Sequence, residues 1–339
     1  MAIRLLLVDD SETMLFLLQQ LVSSDPDFEI VGQARNGRQA LALASSQRPD
    51  IITMDLLMPE MDGIAAIRQL MATRPVRIVA LTTLSAANIS FKALEAGALE
   101  VLQKPVAYRS AAGQDAMVAL LSRLKTLSQV KLGAPSQTRS ASSVRASAKD
   151  PKAWKLRGIA IAASTGGPPA LKTLLAPLST AFPLPILVIQ HISEGFGSAF
   201  VEWLNTTTAL KVIQATSGMT PEPGKVYLPP DGFHLVLAPP GTIQLSDAPP
   251  VQSHRPSANL LFESVGKVWK ERSLGIVLPG MGKAGAAGLA VLKQHAGHCL
   301  AQDQASCQVF GMPAAAIEAG LADQVLNLEE MGRFLRLLE

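Results

Sequence analysis

Short apolar runs alternate with longer segments of helical periodicity over the first 128 residues. The runs read IRLLLV, EIVGQA, IITMD, RIVALTT and LEVLQKP, and the first is followed by the amphipathic segment ETMLFLLQQLVSS. Further helical patterns are expected over Ala40–Ser45, Ile64–Met71, Ala86–Ala96 and Gln114–Leu127. Continuous apolar strands separated by helices are typical of a parallel sheet that is covered on both faces. The pattern therefore predicts five βα units.

The alternation stops at residues 131–153 and then returns. These residues read KLGAPSQTRSASSVRASAKDPKA, a composition typical of a solvated linker, although its basic residues could also dock on an acidic surface. Beyond it come the strand-like runs GIAIAAS, PILVIQH, LGIVLPG and HCLAQ, with a Pro/Gly-rich hairpin region between Gly218 and Pro250. We therefore predict two α/β domains, at 1–128 and 157–339, joined by a flexible linker over 129–156.

Composition narrows the functional class. The chain has 339 residues, of which 48% are hydrophobic and 17% charged, and no apolar run reaches the roughly 20 residues that span a bilayer, so we expect no membrane insertion. The N-terminus MAIRLLLVDD reaches two aspartates before an export signal could form, which favours a buried strand and a cytoplasmic protein. With a net charge of +3, three Trp and two Tyr, the chain offers little to nucleic acid.

The cysteines do not suggest a disulfide or a redox pair. Cys299 and Cys307 are separated by eight positions and form no C-x-x-C motif, so we expect reduced, inert thiols. His295, His298 and Cys299 in QHAGHC could be read as zinc ligands. A fourth ligand at a recognisable spacing is missing, and the segment leads into a strand, so we favour structural roles.

Polar residues follow four of the predicted strands of the first domain: Asp9 and Asp10, Asp55, Thr82 and Thr83, and Lys104. The carboxyl ends of parallel strands share one edge of the sheet, so these side chains should meet there. Three neighbouring carboxylates repel one another, which suits a hard divalent cation such as Mg²⁺. Taken singly, each acid could instead be a helix N-cap.

The combination closely resembles the receiver domain of bacterial response regulators. The resemblance lies in Asp55 within MDLLMPEMDG, in Lys104 before Pro105, and in the pair Asp9-Asp10 after IRLLLV. It implies a flavodoxin-like domain with a five-stranded parallel sheet, whose phosphodonor is a histidine kinase.

The same resemblance implies a role for each residue. Asp55 would accept the phosphoryl group, and Lys104 would pair with it. Asp9, Asp10 and Asp55 would hold Mg²⁺ with the backbone carbonyl of Leu57, and Thr82 would be the switch hydroxyl. One position departs from the family: three residues before the lysine, where receivers usually carry an aromatic switch residue, this chain has Val101.

The stretch GIAIAASTGGPPALKTLL predicts a strand, a sharp turn and a helix, with Ser164 exposed at the turn. Free N–H groups at the start of such a helix can stabilise an oxyanion, although a serine that only caps the helix is an equally good interpretation. The next strand, PILVIQH, brings His191 to the same edge, where its imidazole could accept the serine proton. A single histidine at a strand end is more often structural.

Five motifs after the linker occur in the order found in the chemotaxis protein-glutamate methylesterases: IAASTGGPPAL, VIQHISEGFGSAF, HRPSANLLFESV, LPGMGKAGAAGL and AQDQASCQVFGMPAAAI. This resemblance covers nearly the whole chain apart from the linker, and it implies a doubly wound α/β methylesterase domain. By that likeness Ser164 is the nucleophile, His191 is its general base, and the backbone at Met281, with Thr165, holds the oxyanion. The substrate would be a glutamate γ-methyl ester on a methyl-accepting chemoreceptor, and family members also deamidate receptor glutamines.

One residue of the implied triad is missing. The family reads G-M-G-x-D-G-A where this chain reads GMGKAGA, so the acid that orients the histidine is replaced by Ala284. In serine proteases the loss of that acid costs roughly 10⁴-fold in rate. A methyl ester is more reactive than an amide, so a Ser–His dyad should retain esterase activity while deamidation suffers more.

Neighbouring positions bear on this loss. Asp303 is a candidate substitute, although its ordinary role is expected to be structural or substrate-facing. Lys283, beside Ala284, could add charge but is expected to be solvated. Asn259 stands where the family often has an acid, whereas Arg255 is retained and could contact acidic side chains of the receptor.

Two hypotheses follow. The first is a phosphorylation-regulated esterase whose receiver domain covers the cleft until Asp55 is phosphorylated. The second is a catalytically impaired, phosphorylation-gated receptor-binding module. Ala284 favours the second, whereas Ser164, His191 and Met281 favour the first.

Overall fold

The chain forms two compact units, Met1–Leu132 and Gly133–Glu339. The computed structural model describes residues 2–83, 87–105, 111–130, 132 and 151–339. Most of the linker predicted over 129–156 lies outside the described residues. At its end, however, Trp154 is buried, stacks on His298 with ring centroids 4.0 Å apart and contacts Phe334, so this residue packs with the second unit.

The first unit contains one five-stranded parallel sheet in the order β2-β1-β3-β4-β5. Its strands are β1 (Ile3–Val8), β2 (Phe28–Ala34), β3 (Ile51–Asp55), β4 (Arg77–Thr82) and β5 (Glu100–Gln103). Its helices are α1 (Glu12–Ser23), α2 (Gly37–Gln47), α3 (Gly63–Thr73), α4 (Ala87–Ala96) and α5 (Ala111–Ser128). This strand order is that of flavodoxin-like folds, which confirms the prediction.

Short polar side chains start the helices that follow the strands. Ser11, Asn36 and Asp62 each accept a backbone N–H from the first turn of α1, α2 and α3, respectively. Every residue of β3 is buried, as the continuous apolar run predicts for a strand that is covered on both faces. The helices that follow β1, β2 and β3 therefore each begin at a side-chain cap.

The second unit contains a seven-stranded sheet in the order β14-β13-β12-β6-β7-β9-β8, in which all neighbours are parallel. Its strands are β6 (Gly158–Ala163), β7 (Ile186–Gln190), β8 (Lys211–Gln214), β9 (Lys225–Leu228), β12 (Ser273–Val277), β13 (His298–Gln302) and β14 (Gln324–Leu326). A separate antiparallel hairpin is formed by β10 (His234–Ala238) and β11 (Thr242–Ser246). The helices are α6 (Gly167–Leu175), α7 (Gly197–Thr207), α8 (Ala258–Trp269), α9 (Ala286–Gln294), α10 (Met312–Glu318) and α11 (Leu328–Arg336).

Helices cover both faces of this sheet. A buried cluster joins alternate strand residues, such as Ala160, Ala162 and Leu187, to apolar residues of α8 and α9. The intervening strand residues point to the opposite face, because side chains alternate along a strand. There α6 packs on β6 and contacts α11. The doubly wound α/β prediction is thus confirmed.

The predicted hairpin region contains more than a hairpin. Its segment 225–228 forms β9, which pairs in parallel with both β7 and β8 and so belongs to the large sheet. β8 and β9 have only four residues each, and neither carries enough apolar sequence to be recognised as a strand. Among the described residues, no helix has the length and hydropathy needed to cross a membrane.

Candidate functional site

The first site lies at the carboxyl edge of the five-stranded sheet of the first unit, where Lys104 joins two buried carboxylates. Its Nζ lies 2.7 Å from Asp9 Oδ2 and 2.9 Å from Asp55 Oδ2. Asp9 is fully buried, and only 4% of Asp55 is exposed. The residues predicted from three different strands are therefore brought together, and the ammonium offsets part of the repulsion between the carboxylates.

Backbone groups hold the two acids in place. Ser11 N donates to Asp9 Oδ1 at 3.0 Å, and Leu56 N donates to Asp55 Oδ1 at 2.8 Å. Gly63 is needed behind the site, because a Cβ at this position would lie 2.0 Å from the carbonyl oxygen of Asp55. The Asp55 carboxylate is thus held in place at the end of β3.

Burial and hydrogen bonds together shift the pKa values of Asp9 and Lys104. Burial raises the pKa of Asp9 above its ordinary value, although the hydrogen bond to Lys104 acts in the opposite direction. Burial alone would lower the pKa of Lys104, but its hydrogen bonds to Asp9 and Asp55 outweigh burial, so the lysine pKa lies above its ordinary value.

The site also fits a divalent cation. Carboxylate oxygens of Asp9, Asp10 and Asp55 all lie within 4.8 Å of one another, and Asp10 is exposed at the rim. Three hard oxygen donors this close together suit Mg²⁺. Leu57, predicted to add its carbonyl oxygen, lies in the loop after β3 with its side chain 55% exposed.

Thr82 ends the neighbouring strand β4. Its side chain is buried, and its carbonyl oxygen accepts the backbone N–H of Lys104 at 2.8 Å. This bond connects β4 directly to the residue that pairs with Asp55. Val101, at the position of the expected aromatic residue, is buried within β5.

In the second unit, Ser164 lies in the turn between β6 and α6, where it is buried and not exposed as predicted. Its N–H donates to the carbonyl of Pro279 at 2.9 Å, and its own carbonyl accepts from Gly167 N at 2.8 Å. Gly166 has φ of +80°, a left-handed conformation that favours glycine. The turn is therefore tied to a second loop, which begins at Pro279.

His191 follows β7 directly beside this serine. Ala163 and Gln190 are paired in the parallel register of β6 and β7, so Ser164 and His191 are the next residue of each strand. His191 N donates to the carbonyl of Ala163 at 2.9 Å. In addition, Gln190 Nε2 donates to the carbonyls of both Ser164 and His191, at 2.8 and 2.9 Å. The structure thus places the two predicted residues side by side at one edge.

The glycine-rich loop that follows β12 packs against the serine. A Cβ on Gly280 would lie 2.9 Å from Ser164 Cβ and 2.2 Å from Met312 Sδ. The loop is fixed by Gly280 N, which donates to the carbonyl of Val309 at 3.1 Å, and by the Gly280 carbonyl, which accepts from Gly311 N and Met312 N. The glycines therefore allow the backbone that carries Met281 to approach the serine turn closely.

Ala284 and Asn259 stand at the two positions where the resemblance led us to expect an acidic residue. Ala284 is half-buried and packs against the apolar cluster under α8 and α9. Asn259 is buried, and its Oδ1 accepts Gly288 N at 3.0 Å, in the first turn of α9. The amide oxygen of Asn259 thus caps α9, whose N-cap residue Gly285 has no side chain to do so.

A tight turn over residues 251–254 carries a residue that the sequence reasoning missed. His254 stacks on His191, with ring centroids 4.4 Å apart and an angle of 24° between the planes. The motif HRPS was noted for the resemblance, but nothing in its spacing indicated a contact with another histidine. The only signal was that it lies directly before Arg255.

A cavity of about 220 Å³ opens beside these histidines. Its lining includes Gln190 and Arg255, each adjacent in sequence to one of the stacked rings, together with Glu194 and Asp231. Asp231 Oδ2 accepts Gly195 N at 3.0 Å, which holds the loop that forms one wall. Arg255 is exposed, and its Nη1 donates to the carbonyl of Asp247 at 2.9 Å.

Other candidate residues have structural contacts. The Asp303 carboxylate accepts both the backbone N–H and the hydroxyl of Ser306, so it closes the turn after β13. His298 stacks on Trp154, as described above, and burial raises the pKa of the Cys299 and Cys307 thiols to about 12. Lys283 is exposed in its loop.

Comparisons with known proteins agree with this architecture. The family model for the CheB methylesterase matches residues 159–335, and that for the response regulator receiver domain matches residues 5–111. A protein-glutamate methylesterase/protein-glutamine glutaminase 3 of Anaeromyxobacter dehalogenans is 44% identical over 96% of this chain and 95% of its own length. A second one from that organism, numbered 2, is 41% identical over 98% of this chain and 96% of its own.

A solved structure is also similar. The crystal structure of the Thermotoga maritima CheB methylesterase catalytic domain superposes with a TM-score of 0.51 at 34% identity, covering 54% of this chain and 98% of that one. Because one family model spans more than half of the chain and the relatives extend over nearly all of it, the chain belongs to the CheB methylesterase family, with a response regulator receiver domain at its N-terminus.

Proposed function

We propose that this protein hydrolyses glutamate γ-methyl esters on a methyl-accepting chemoreceptor, and that phosphorylation of its receiver domain regulates this activity. The observation that carries the proposal is the register of β6 and β7, which sets Ser164 and His191 side by side with the Gln190 amide bridging their carbonyls. The comparisons do not favour the competing hypothesis of a binding module, since the relatives carry the names of hydrolases.

The reaction uses the serine as nucleophile. Ser164 Oγ attacks the ester carbonyl while His191 takes its proton, and the backbone N–H groups at Met281 and Thr165 stabilise the tetrahedral oxyanion. His191 then returns the proton to the departing methoxide, which releases methanol and leaves a glutamyl ester on Ser164. A water molecule, deprotonated by His191, hydrolyses this ester to glutamate and frees the serine.

The same residues can deamidate glutamine, with ammonia leaving in place of methanol. An amide is a poorer acyl donor than an ester, and it depends more strongly on an oriented imidazolium to protonate its leaving group. With Ala284 in place of an acid, deamidation is the slower of the two reactions.

In the receiver domain, the proposed phosphoacceptor is Asp55, with a chemotaxis-type histidine kinase as phosphodonor. Receiver domains use Mg²⁺ at their phosphorylation site, and Asp9, Asp10 and Asp55, with the Leu57 carbonyl, would hold it here. When bound, the cation neutralises negative charge on the incoming phosphoryl group. Lys104 moves from the Asp55 carboxylate to a phosphoryl oxygen, and the hydroxyl of Thr82 follows that oxygen as the switch.

Arg255 is the proposed contact to the receptor. It is exposed at the cavity beside His191, and its guanidinium suits the carboxylates that surround a methylation site on an acidic helix. Substitution of Arg255 by Gln should raise KM for the receptor several-fold and leave kcat nearly unchanged.

Methanol release from a methylated receptor tests the esterase. The full chain should release methanol in proportion to time and enzyme, whereas Ser164→Ala and His191→Gln should fall to background. Release by Ser164→Ala at the wild-type rate would overturn the assignment of the nucleophile, and no release by the wild type would favour a binding module.

Regulation is tested with a small phosphodonor. Acetyl phosphate with Mg²⁺ should stimulate the wild type and leave Asp55→Asn at its basal rate, because an amide cannot be phosphorylated at this position. Asp62→Asn, which changes a helix cap of the same domain, is the matched control and should respond like the wild type. Equal stimulation of Asp55→Asn would contradict gating through this residue.

A further inference from the structure

We propose that His254 is the positioning residue of His191, and that Asn259 holds the turn that carries it. The proposal rests on the esterase function above, since it assigns His191 an orientation that matters only for proton transfer. His254 acts through His191, on whose ring it stacks.

The ring of His254 is itself fixed. Its Nδ1 lies 2.7 Å from the carbonyl oxygen of Gln252, and because a carbonyl oxygen can only accept, Nδ1 carries the proton. The ring therefore cannot rotate about its Cβ–Cγ bond without losing this hydrogen bond. Since it lies against His191 at 4.4 Å and 24°, it limits the tilt of the catalytic imidazole.

The backbone that presents His254 is strained. Val251 and His254 exchange two backbone hydrogen bonds of 3.1 Å, which closes the turn. The two central residues, Gln252 and Ser253, have φ of 50° and 66°, although neither is glycine. Non-glycine residues are disfavoured in this region, and such strain concentrates at functional sites.

Asn259 links this turn to the loop in which the acid is missing. Its Nδ2 donates to Gln252 Oε1 at 3.0 Å, while its Oδ1 accepts Gly288 N at 3.0 Å. An amide can do both at once, because it offers a donor and an acceptor, whereas a carboxylate offers only acceptors. One buried side chain thus connects the start of α9 to the turn that positions His254.

His254 gives the imidazole of His191 an orienting contact, which the methyl group of Ala284 cannot provide. In a Ser–His pair the imidazole must present one nitrogen to the serine, and it needs a neighbour that fixes its orientation. His254 provides such a neighbour on the face of the ring instead of at its edge. The contact fixes the plane of His191 but does not stabilise the imidazolium as a carboxylate would.

Three variants of the full chain test the proposal. His254→Ala should lower kcat for methanol release roughly tenfold with KM unchanged, as expected from the loss of one aromatic pair. His254→Phe keeps a planar ring but loses the hydrogen bond to the Gln252 carbonyl, so it should recover part of that loss. His295→Ala, at the end of α9, is the matched control and should keep the wild-type kcat.

Gln252→Gly separates positioning from stability. Glycine tolerates φ of 50°, so the substitution relieves backbone strain while removing the brace to Asn259. Thermal unfolding should occur at an equal or higher temperature although kcat falls several-fold. A purely structural role would instead make kcat follow stability, which would overturn the proposal.

A measurement without turnover completes the test. With the five histidines labelled with ¹⁵N, the ring signals of His191 are identified from their absence in His191→Gln. They should be sharp in the wild type, broadened by ring motion in His254→Ala, and intermediate in His254→Phe. Unchanged His191 signals and kcat in His254→Ala would refute positioning, whereas an inactive wild type with the predicted signals would refute only the esterase function.

Discussion

Gly280→Ala tests a close backbone approach to the proposed nucleophile. The added Cβ would lie 2.2 Å from Met312 Sδ and 2.9 Å from Ser164 Cβ. Ordinary carbon contacts begin at about 3.5 Å, so the sulfur must retreat by about 1.3 Å and the serine by about 0.6 Å. The backbone φ of Gly280 is not positive. The steric contact of the added Cβ, and not backbone strain, therefore decides the outcome.

The two contacts should have different consequences. Met312 is buried but flexible, and repacking it should cost about 1–3 kcal/mol of unfolding free energy. The serine is held by hydrogen bonds on both sides, so displacing it changes the attack geometry. Since a displacement of about 1 Å can cost about 100-fold in rate, we expect kcat to fall roughly 10- to 100-fold.

The assay compares methanol release and thermal unfolding of the full chain. Gly320→Ala is the control, because Gly320 has φ of +67° and nothing within 4 Å of an added Cβ. It should lose about 1–2 kcal/mol of unfolding free energy and keep its kcat. If Gly280→Ala keeps the wild-type kcat, the loop does not support the serine as described.

Three further results are expected. Ala284→Asp should raise kcat, by up to roughly 10⁴-fold if the carboxylate reaches His191. Deamidation should gain more than ester hydrolysis. No gain in methanol release would show that another group already orients His191. Both thiols should resist a thiol reagent at pH 8 until the protein is unfolded, because burial raises the pKa of Cys299 and Cys307 to about 12, and prompt labelling of the native chain would contradict this. Lys104→Met should lower the unfolding free energy of the receiver by about 3 kcal/mol at pH 7 in denaturant titrations. In the wild type, where the lysine pKa is raised, this stabilisation is complete below about pH 10 and is lost as the pH rises through the folded pKa. If the stability difference between wild type and variant does not change with pH, the ion pairs of Lys104 are not its source.

The receiver site could be predicted because its residues follow a simple rule. Asp55 ends β3, while Asp9 and Lys104 follow the last residues of β1 and β5 directly, and parallel strands end at one edge. The same rule placed Ser164 beside His191. When a residue lies at the end of a strand that the apolar pattern predicts, its position follows from the arrangement of the strands in the sheet.

The contacts around His191 could not be predicted in this way. His254 reaches it through a turn whose two left-handed residues, Gln252 and Ser253, are not the glycine or asparagine that would indicate such a turn. Asn259 looked like the loss of an acid, but its role depends on packing between α8 and α9 that brings Gly288 against it. Such contacts are decided by tertiary packing and leave no periodic signal.

Trapping the covalent intermediate tests the central claim most directly. The full chain is mixed with a receptor peptide that carries a glutamate γ-methyl ester, quenched in acid within the first turnovers, and digested for mass spectrometry. The account predicts that the peptide is attached to Ser164 as an ester, and that Ser164→Ala carries none. An adduct on another side chain, or methanol release that persists without Ser164, would contradict it.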